Sequence, residues 1–150
     1  LPNLYGTMRD GLNAGLPSDR FQVDWWIASG WVADRSLRAS NGHSTRAELL
    51  AAGALCLNLP GSDGTPQPPD PSSAFPAAGA TVIIEVPVDF LALKAADPAL
   101  ALRWRLATRT AFQTLFGQGY AVTDFVRAPG AAPTATYVLT QTSATGEPLT

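Results

Sequence analysis

The stretch Thr81–Arg127, TVIIEVPVDFLALKAADPALALRWRLATRTAFQTLFGQGYAVTDFVR, carries the reading that decides the fold. TVIIEVP is rich in β-branched residues and stops at Pro87, which predicts a strand. Asp89 caps a short helix reaching Lys94. Asp97 followed by Pro98 predicts a second helix start: a carboxylate accepts from unpaired N–H groups, and a proline at the first turn forfeits no hydrogen bond. Leu100, Trp104, Ala107, Ala111 and Leu115 recur at helical spacing and predict a buried stripe running to about Phe116. Arg103, Arg105, Arg109 and Gln113 fall off that stripe and read as a solvated face. Gly117 or Gly119 ends the helix. YAVTDFVRA predicts another strand, and TATYVLTQT a further one beyond the turn-forming PGAAP. Strand, helix, strand, strand predicts an α/β chain of the α+β type, with helices packed on a mixed, mostly antiparallel sheet. The tail after Thr142 reads as frayed.

Upstream the signals are weaker. Residues 1–19 read as loop, because Pro2, Gly6, Gly11, Gly15 and Pro17 interrupt any period. Arg20 to Ser29 read as a strand, with Phe21, Val23, Trp25 and Ile27 on one face and Gln22, Asp24 and Trp26 on the other. Gly30 suggests a turn or bulge before a second, irregular strand in WVADRSLRA. Residues 44–53 are weakly helical, with Ser44 or Thr45 as cap and Glu48 placed to reach back. Residues 54–59 form a short apolar strand. The proline-rich PGSDGTPQPPDPSSAFPAAGA cannot form helix or central strand and reads as an exposed connection. These features divide the chain into residues 1–59, a connection over 60–80, and a strand-helix-strand-strand unit over 81–150, together one compact unit.

Composition narrows the function classes. A chain of 150 residues suits one domain with a real core. Ten basic residues against twelve acidic ones leave a net charge of −2, which offers no electrostatic footprint for nucleic acid. Cys56 is the sole cysteine, so no intrachain disulfide forms, and its apolar setting in GALCLNL reads as a buried, inert thiol. No run reaches the length of a membrane span and no signal segment opens the chain, so the expected location is cytoplasmic, without a membrane partner. Opening at Leu1 rather than Met, the chain reads as a fragment or a processed product.

Catalytic motifs are sparse. His43, the sole histidine, sits in the loop composition SNGHS and reads as solvated; zinc ligation and a Ser–His–Asp arrangement both lack partners. Neither GxGxxG nor GxxxxGK[ST] occurs. The best clue is GTMRDGLNAGLPSDRFQVDWWI, Gly6–Ile27. Adjacent Trp25 and Trp26 on a strand point to opposite faces, so one fills the core and the other, Trp26, is left to solvent, a helix or a ligand. The preceding loop could fold over that indole and form a pocket rimmed by Arg9, Asp10, Asn13, Asp19 and Arg20. The plain alternative is that these are surface charges and loop caps.

The segment LPNLYGTMRDGLNAGLPSDRFQVDWW resembles the region following the CoA-binding core in a group of predicted bacterial N-acyltransferases of the GNAT superfamily. A looser similarity continues through IIEVPVDFLALKAADPALALRWRLATRTAF, GY.V.DFVR and TYVL. Relatives of that group are linked to N-succinylation of amino acids. The resemblance implies a GNAT-like C-terminal half plus the added strand-helix-strand-strand unit. It also implies transfer of an acyl group from acyl-CoA to a small-molecule amine or amino acid. The glycine-rich pyrophosphate loop of such enzymes is missing here, so this chain would bind no cofactor alone and would be inactive alone. Acyl-CoA would be the co-substrate of the full-length enzyme, and the missing N-terminal half or a homodimer partner would complete it. Within the resemblance, Tyr5 is the hydroxyl placed to act as acid, or it packs into the sheet. Asp10, Asp19 or Asp24 would orient an amine, and Arg9 or Arg20 would hold a substrate carboxylate. The competing class is a non-catalytic binding or dimerisation module derived from such an enzyme.

Overall fold

Residues 1–6, 8–9, 14–23, 30, 44–61, 66–70, 79–127, 130 and 132–142 are described by the structure, a computed structural model. In chain order they form α1 (Arg46–Ala51), β1 (Leu55–Cys56), β2 (Asn58–Pro60), β3 (Pro66–Pro69), β4 (Val82–Pro87), α2 (Phe90–Ala96), α3 (Pro98–Gly117), β5 (Tyr120–Arg127) and β6 (Thr134–Gln141). Four strands make one sheet in the order β1-β4-β6-β5, and only the β1–β4 pair is parallel. The class is therefore α+β, with a mostly antiparallel sheet and helices packed on it.

β4 is central, and its side chains serve two cores. Val82 and Ile84 join Ala111, Phe112 and Leu115 of α3, with Tyr120 and Leu139, on one face. Ile83 joins Ala54, Val126 and Val138 on the other, backed by Leu49 and Leu50 of α1. A strand covered on both faces is a continuous apolar run rather than an alternating one, which explains VIIEV. Its exception, Glu85, is 4% exposed and points to the α1 side. Arg46 answers it in bidentate fashion, Nε to Oε1 at 2.9 Å and Nη2 to Oε2 at 3.1 Å, and the Thr134 hydroxyl donates to Oε1 at 3.2 Å. A buried carboxylate survives because it is paired and hydrogen-bonded.

The helix punctuation follows the sequence. Asp89 Oδ1 accepts from the Ala92 N–H at 2.8 Å and starts α2; Asp97 Oδ1 accepts from the Leu100 N–H at 2.9 Å and starts α3. Thr45, not Ser44, caps α1 in a reciprocal capping box with Glu48. Gly119, at φ +81°, follows the end of α3, where a left-handed residue must turn the chain into β5. The buried residues of α3 are Ala101, Trp104, Ala111, Phe112 and Leu115, so the core face is rotated slightly from the expected stripe and takes in Phe112.

Register slips between Val122 and Asp124 in β5. An extra residue there inverts the alternation. Val122 opposes Leu139 before the slip, and Phe125 opposes Tyr137 after it. Phe125 thus shares the α3 face with Val122 despite the odd spacing, its ring 4.7 Å from that of Tyr137.

Two expectations need correction. Arg20–Val23 form no strand; they continue an irregular segment, and Asp24–Ser29, with both adjacent tryptophans, lie outside the described residues. The proline-rich connection is not simply exposed: PQPP is strand β3, paired antiparallel with β2, and Pro69 is buried. Prolines are tolerated because a two-stranded ribbon leaves each strand an unpaired edge. Within the four-stranded sheet, β1 from residues 1–59 pairs directly with β4 from residues 81–150. The readings for WVADRSLRA and the tail after Thr142 fall outside the described residues.

Candidate functional site

The N-terminal segment is a paired loop laid across α3. Leu4 N–H donates to the Ser18 carbonyl at 3.1 Å, and Arg20 N–H to the Leu1 carbonyl at 3.1 Å. Ser18 is fully buried and pins the loop: its hydroxyl accepts from the Tyr5 N–H at 2.9 Å and donates to the Gly6 carbonyl at 3.2 Å. Asp19 then ties the loop to the helix. Arg109 Nε and Nη2 donate to its two oxygens at 3.0 and 2.6 Å, and Asn3 N–H donates to Oδ1 at 2.8 Å. Burial opposes the Asp19 charge. The Arg109 and Asn3 hydrogen bonds, with the charges of Arg109 and Arg105, together outweigh burial and hold the carboxyl below its ordinary value.

Between this loop, α3 and the end of β4 lies a groove of about 410 Å³. Its walls carry Phe21, Phe90, Trp104, Phe112, Phe116 and Tyr137. Phe21 meets Phe112 edge-on at 4.8 Å between centroids and Tyr137 at 5.6 Å, so it forms the loop's contribution to an aromatic box. Polar groups are few. Arg20 stands at the rim, Asp19 and Arg109 neutralise each other, and Arg105 enters from the helix.

Arg105 is the unusual member. It is half-buried, with its guanidinium carbon 4.7 Å from the Phe90 ring centroid. Its Nε is buried and has no hydrogen-bond partner among the described residues. Burial draws the group below the ordinary arginine value, partly relieved by the charge of Asp19 and worsened by that of Arg20. Arginine nonetheless stays charged, so a fork of donors faces an apolar groove with its needs incompletely met. Tyr137 is pushed up by burial, against the pull of Arg105, and keeps its phenolic proton at neutral pH.

The expected site residues separate. Asp19 and Arg20 line the groove. Tyr5 is 62% exposed, neither packed into the sheet nor on the groove wall, with its ring 5.4 Å below the Arg20 guanidinium. Arg9 is exposed. Asp10, Asn13, Trp26 and His43 lie outside the described residues. The expected solvated face of α3 is half wrong: Arg103 is exposed, but Arg105 and Arg109 are half-buried and point into the groove. The overlooked signal was a second stripe, Arg105, Arg109, Phe112 and Phe116, at spacings of four, three and four residues beside the core stripe.

A second polar cluster lies on the opposite sheet face. Cys56 Sγ is 3.7 Å from Glu85 Oε2 and 3.9 Å from Asn58 Oδ1. Burial, with the Glu85 charge, pushes the thiol up despite Asn58 and Arg46, so it is a poor nucleophile. Among the described residues no group of three or more His, Cys, Asp or Glu is placed to hold a metal ion, and no helix is long and apolar enough to cross a membrane. Comparisons with protein-family models, with curated proteins and with solved structures find no match for the chain.

Proposed function

We propose that the chain recognises a small organic carboxylate in the α3 groove, as the acceptor side of an N-acyltransferase of the GNAT type. The observation that carries the carboxylate is Arg105, a half-buried guanidinium on a largely aromatic wall, whose Nε has no hydrogen-bond partner among the described residues. Carboxylates match the donor fork of arginine, and an anion would relieve the cost of burying it. The acyl-transfer setting rests on the resemblance of Leu1–Trp26, with acyl-CoA held by the rest of the full-length enzyme.

The groove's charge balance supports an amine acceptor. Arg20, Arg105 and Arg109 stand against the single carboxylate of Asp19 among the described lining residues. Positive surroundings lower the pKa of an ammonium, which favours the free amine that must attack a thioester carbonyl. Asp19 itself is engaged by Arg109, so the groove binds and orients rather than removes the proton. That engagement also favours the alternative of a binding module without catalysis. Acyl-CoA turnover by the full-length protein with an amino acid separates the two.

Isothermal titration with L-leucine and L-leucinamide tests the carboxylate. The acid should bind at least about ten-fold more tightly than the amide, and Arg105→Gln should abolish the difference. Equal binding of acid and amide overturns the assignment.

A further inference from the structure

Building on the carboxylate reading, we infer that the groove selects an amino acid with an aromatic or bulky aliphatic side chain, and that Phe21 and Phe116 set this preference. The volume is at the low end of the roughly 300–1,000 Å³ of small-molecule sites. It is nonetheless far more than a carboxylate or a glycine fills. Beside the arginines the walls are mostly rings, with Val86, Pro87, Thr108 and Gln113 completing them. Phe112 and Tyr137 lie at the floor, edge to face with centroids 5.4 Å apart, while Phe21 closes over them from the loop. Phe21 and Phe116 remain 42% and 41% exposed, so apolar area is left for a ligand to cover.

The polar groups exclude the other side-chain classes. A basic side chain would meet Arg20, Arg105 and Arg109. An acidic one would have to displace Asp19 from Arg109, share Arg105 with the α-carboxylate or turn outward to Arg20 at the rim, in each case leaving the rings uncovered. The small polar class gains neighbours in Thr108, whose hydroxyl already donates to the Trp104 carbonyl at 2.7 Å, Gln113 and the Tyr137 phenol, but leaves the rings uncovered. An apolar side chain opposite the Arg105-bound carboxylate satisfies both halves of the groove.

Titration of the chain with L-phenylalanine, L-leucine, glycine and L-aspartate, each beside its α-amide, tests this. L-Phenylalanine and L-leucine should bind about ten-fold or more tightly than glycine and L-aspartate. Phe21→Ala should shrink that preference several-fold while the acid-over-amide difference persists. Phe116→Ala, on an exposed helix position, repeats the test where a loop change has altered folding. Equal affinity of glycine and L-phenylalanine, with the acid-over-amide difference intact, overturns the side-chain preference and leaves the carboxylate reading standing. Loss of the acid-over-amide difference with the aromatic preference intact overturns the carboxylate reading instead. Absence of binding by every amino acid overturns both.

Discussion

Arg109 grips both oxygens of Asp19 across ninety residues of sequence, at 3.0 and 2.6 Å. This contact fastens the N-terminal loop to α3 and so builds one wall of the groove. Both side chains are about one-fifth exposed, which puts the pair between a surface salt bridge and a buried one. Asp19→Asn should cost about 1.5–3 kcal/mol, the range for hydrogen bonds to charged groups. Chemical denaturation measures it. Because the residues act as a pair, Asp19→Asn with Arg109→Gln should cost less than the two single changes summed. Strict additivity would dissolve the tether.

Acid should loosen the same contact. The Asp19 carboxyl titrates below its ordinary value in the folded chain. A depressed acid contributes stability above its unfolded value, about 3.9, and loses it as pH falls through the folded one. The loop should therefore stay docked above about pH 4 and loosen below it. Its signature is loss of amide protection at Leu4 and Arg20, the donors that close the loop on itself. In Asp19→Asn that acid-dependent step should vanish.

Glu85 and Arg46 make a different prediction on the far side of the sheet. The Glu85 side chain is 5% exposed while that of Arg46 is 49% exposed, so their removal is asymmetric. Arg46→Ala strands a buried carboxylate and should cost about 2–4 kcal/mol, below the fully buried limit because water reaches the guanidinium. Glu85→Gln keeps an acceptor for Arg46 and Thr134 and should cost less. A thermal melt of the two variants decides; the reverse order would mean that the carboxylate is not held by this pair.

The C-terminal half was legible because its signals are local. Asp97–Pro98 announces α3, β-branched runs announce β4 and β6, and no distant residue has to be known. The groove was not legible, because it depends on contacts far apart in sequence. Arg105 lies one position from Trp104 and about 100° round the helix, and whether that direction meets water depends on the N-terminal loop docking through Asp19 on Arg109, 90 residues apart. The β5 bulge leaves no mark in YAVTDFVR, since Thr123 is a normal strand residue, yet it decides which face Phe125 takes. PQPP reads as neither helix nor central strand because proline lacks a donor, but in a two-stranded ribbon its carbonyls still accept, as the Asn58 side chain donating to the Gln67 carbonyl at 2.9 Å shows.

Cys56 tests how closed the second core is. Burial and a facing carboxylate keep its thiol protonated. Iodoacetamide at pH 8 should modify the folded chain many-fold more slowly than the denatured chain. Glu85→Gln should accelerate the reaction, because it removes the charge that raises the thiol. Equal rates in folded and denatured chain would contradict the packing around β1.

Arg105 separates stability from binding. A buried Nε without a partner among the described residues costs about 1–3 kcal/mol, whereas the guanidinium's stacking on Phe90 returns about 0.5–1 kcal/mol. Methionine has a similar length and keeps the packing against the rings without the charge. Arg105→Met should therefore gain about 1 kcal/mol and raise Tm by about 2–4 °C in a chain of this size. It should lose the preference for acid over amide at the same time. A destabilised Arg105→Met would mean that the guanidinium serves the fold, and its place in the groove would need another explanation. A stabilised variant that no longer distinguishes L-leucine from L-leucinamide is the pattern expected where stability has been given up for a ligand.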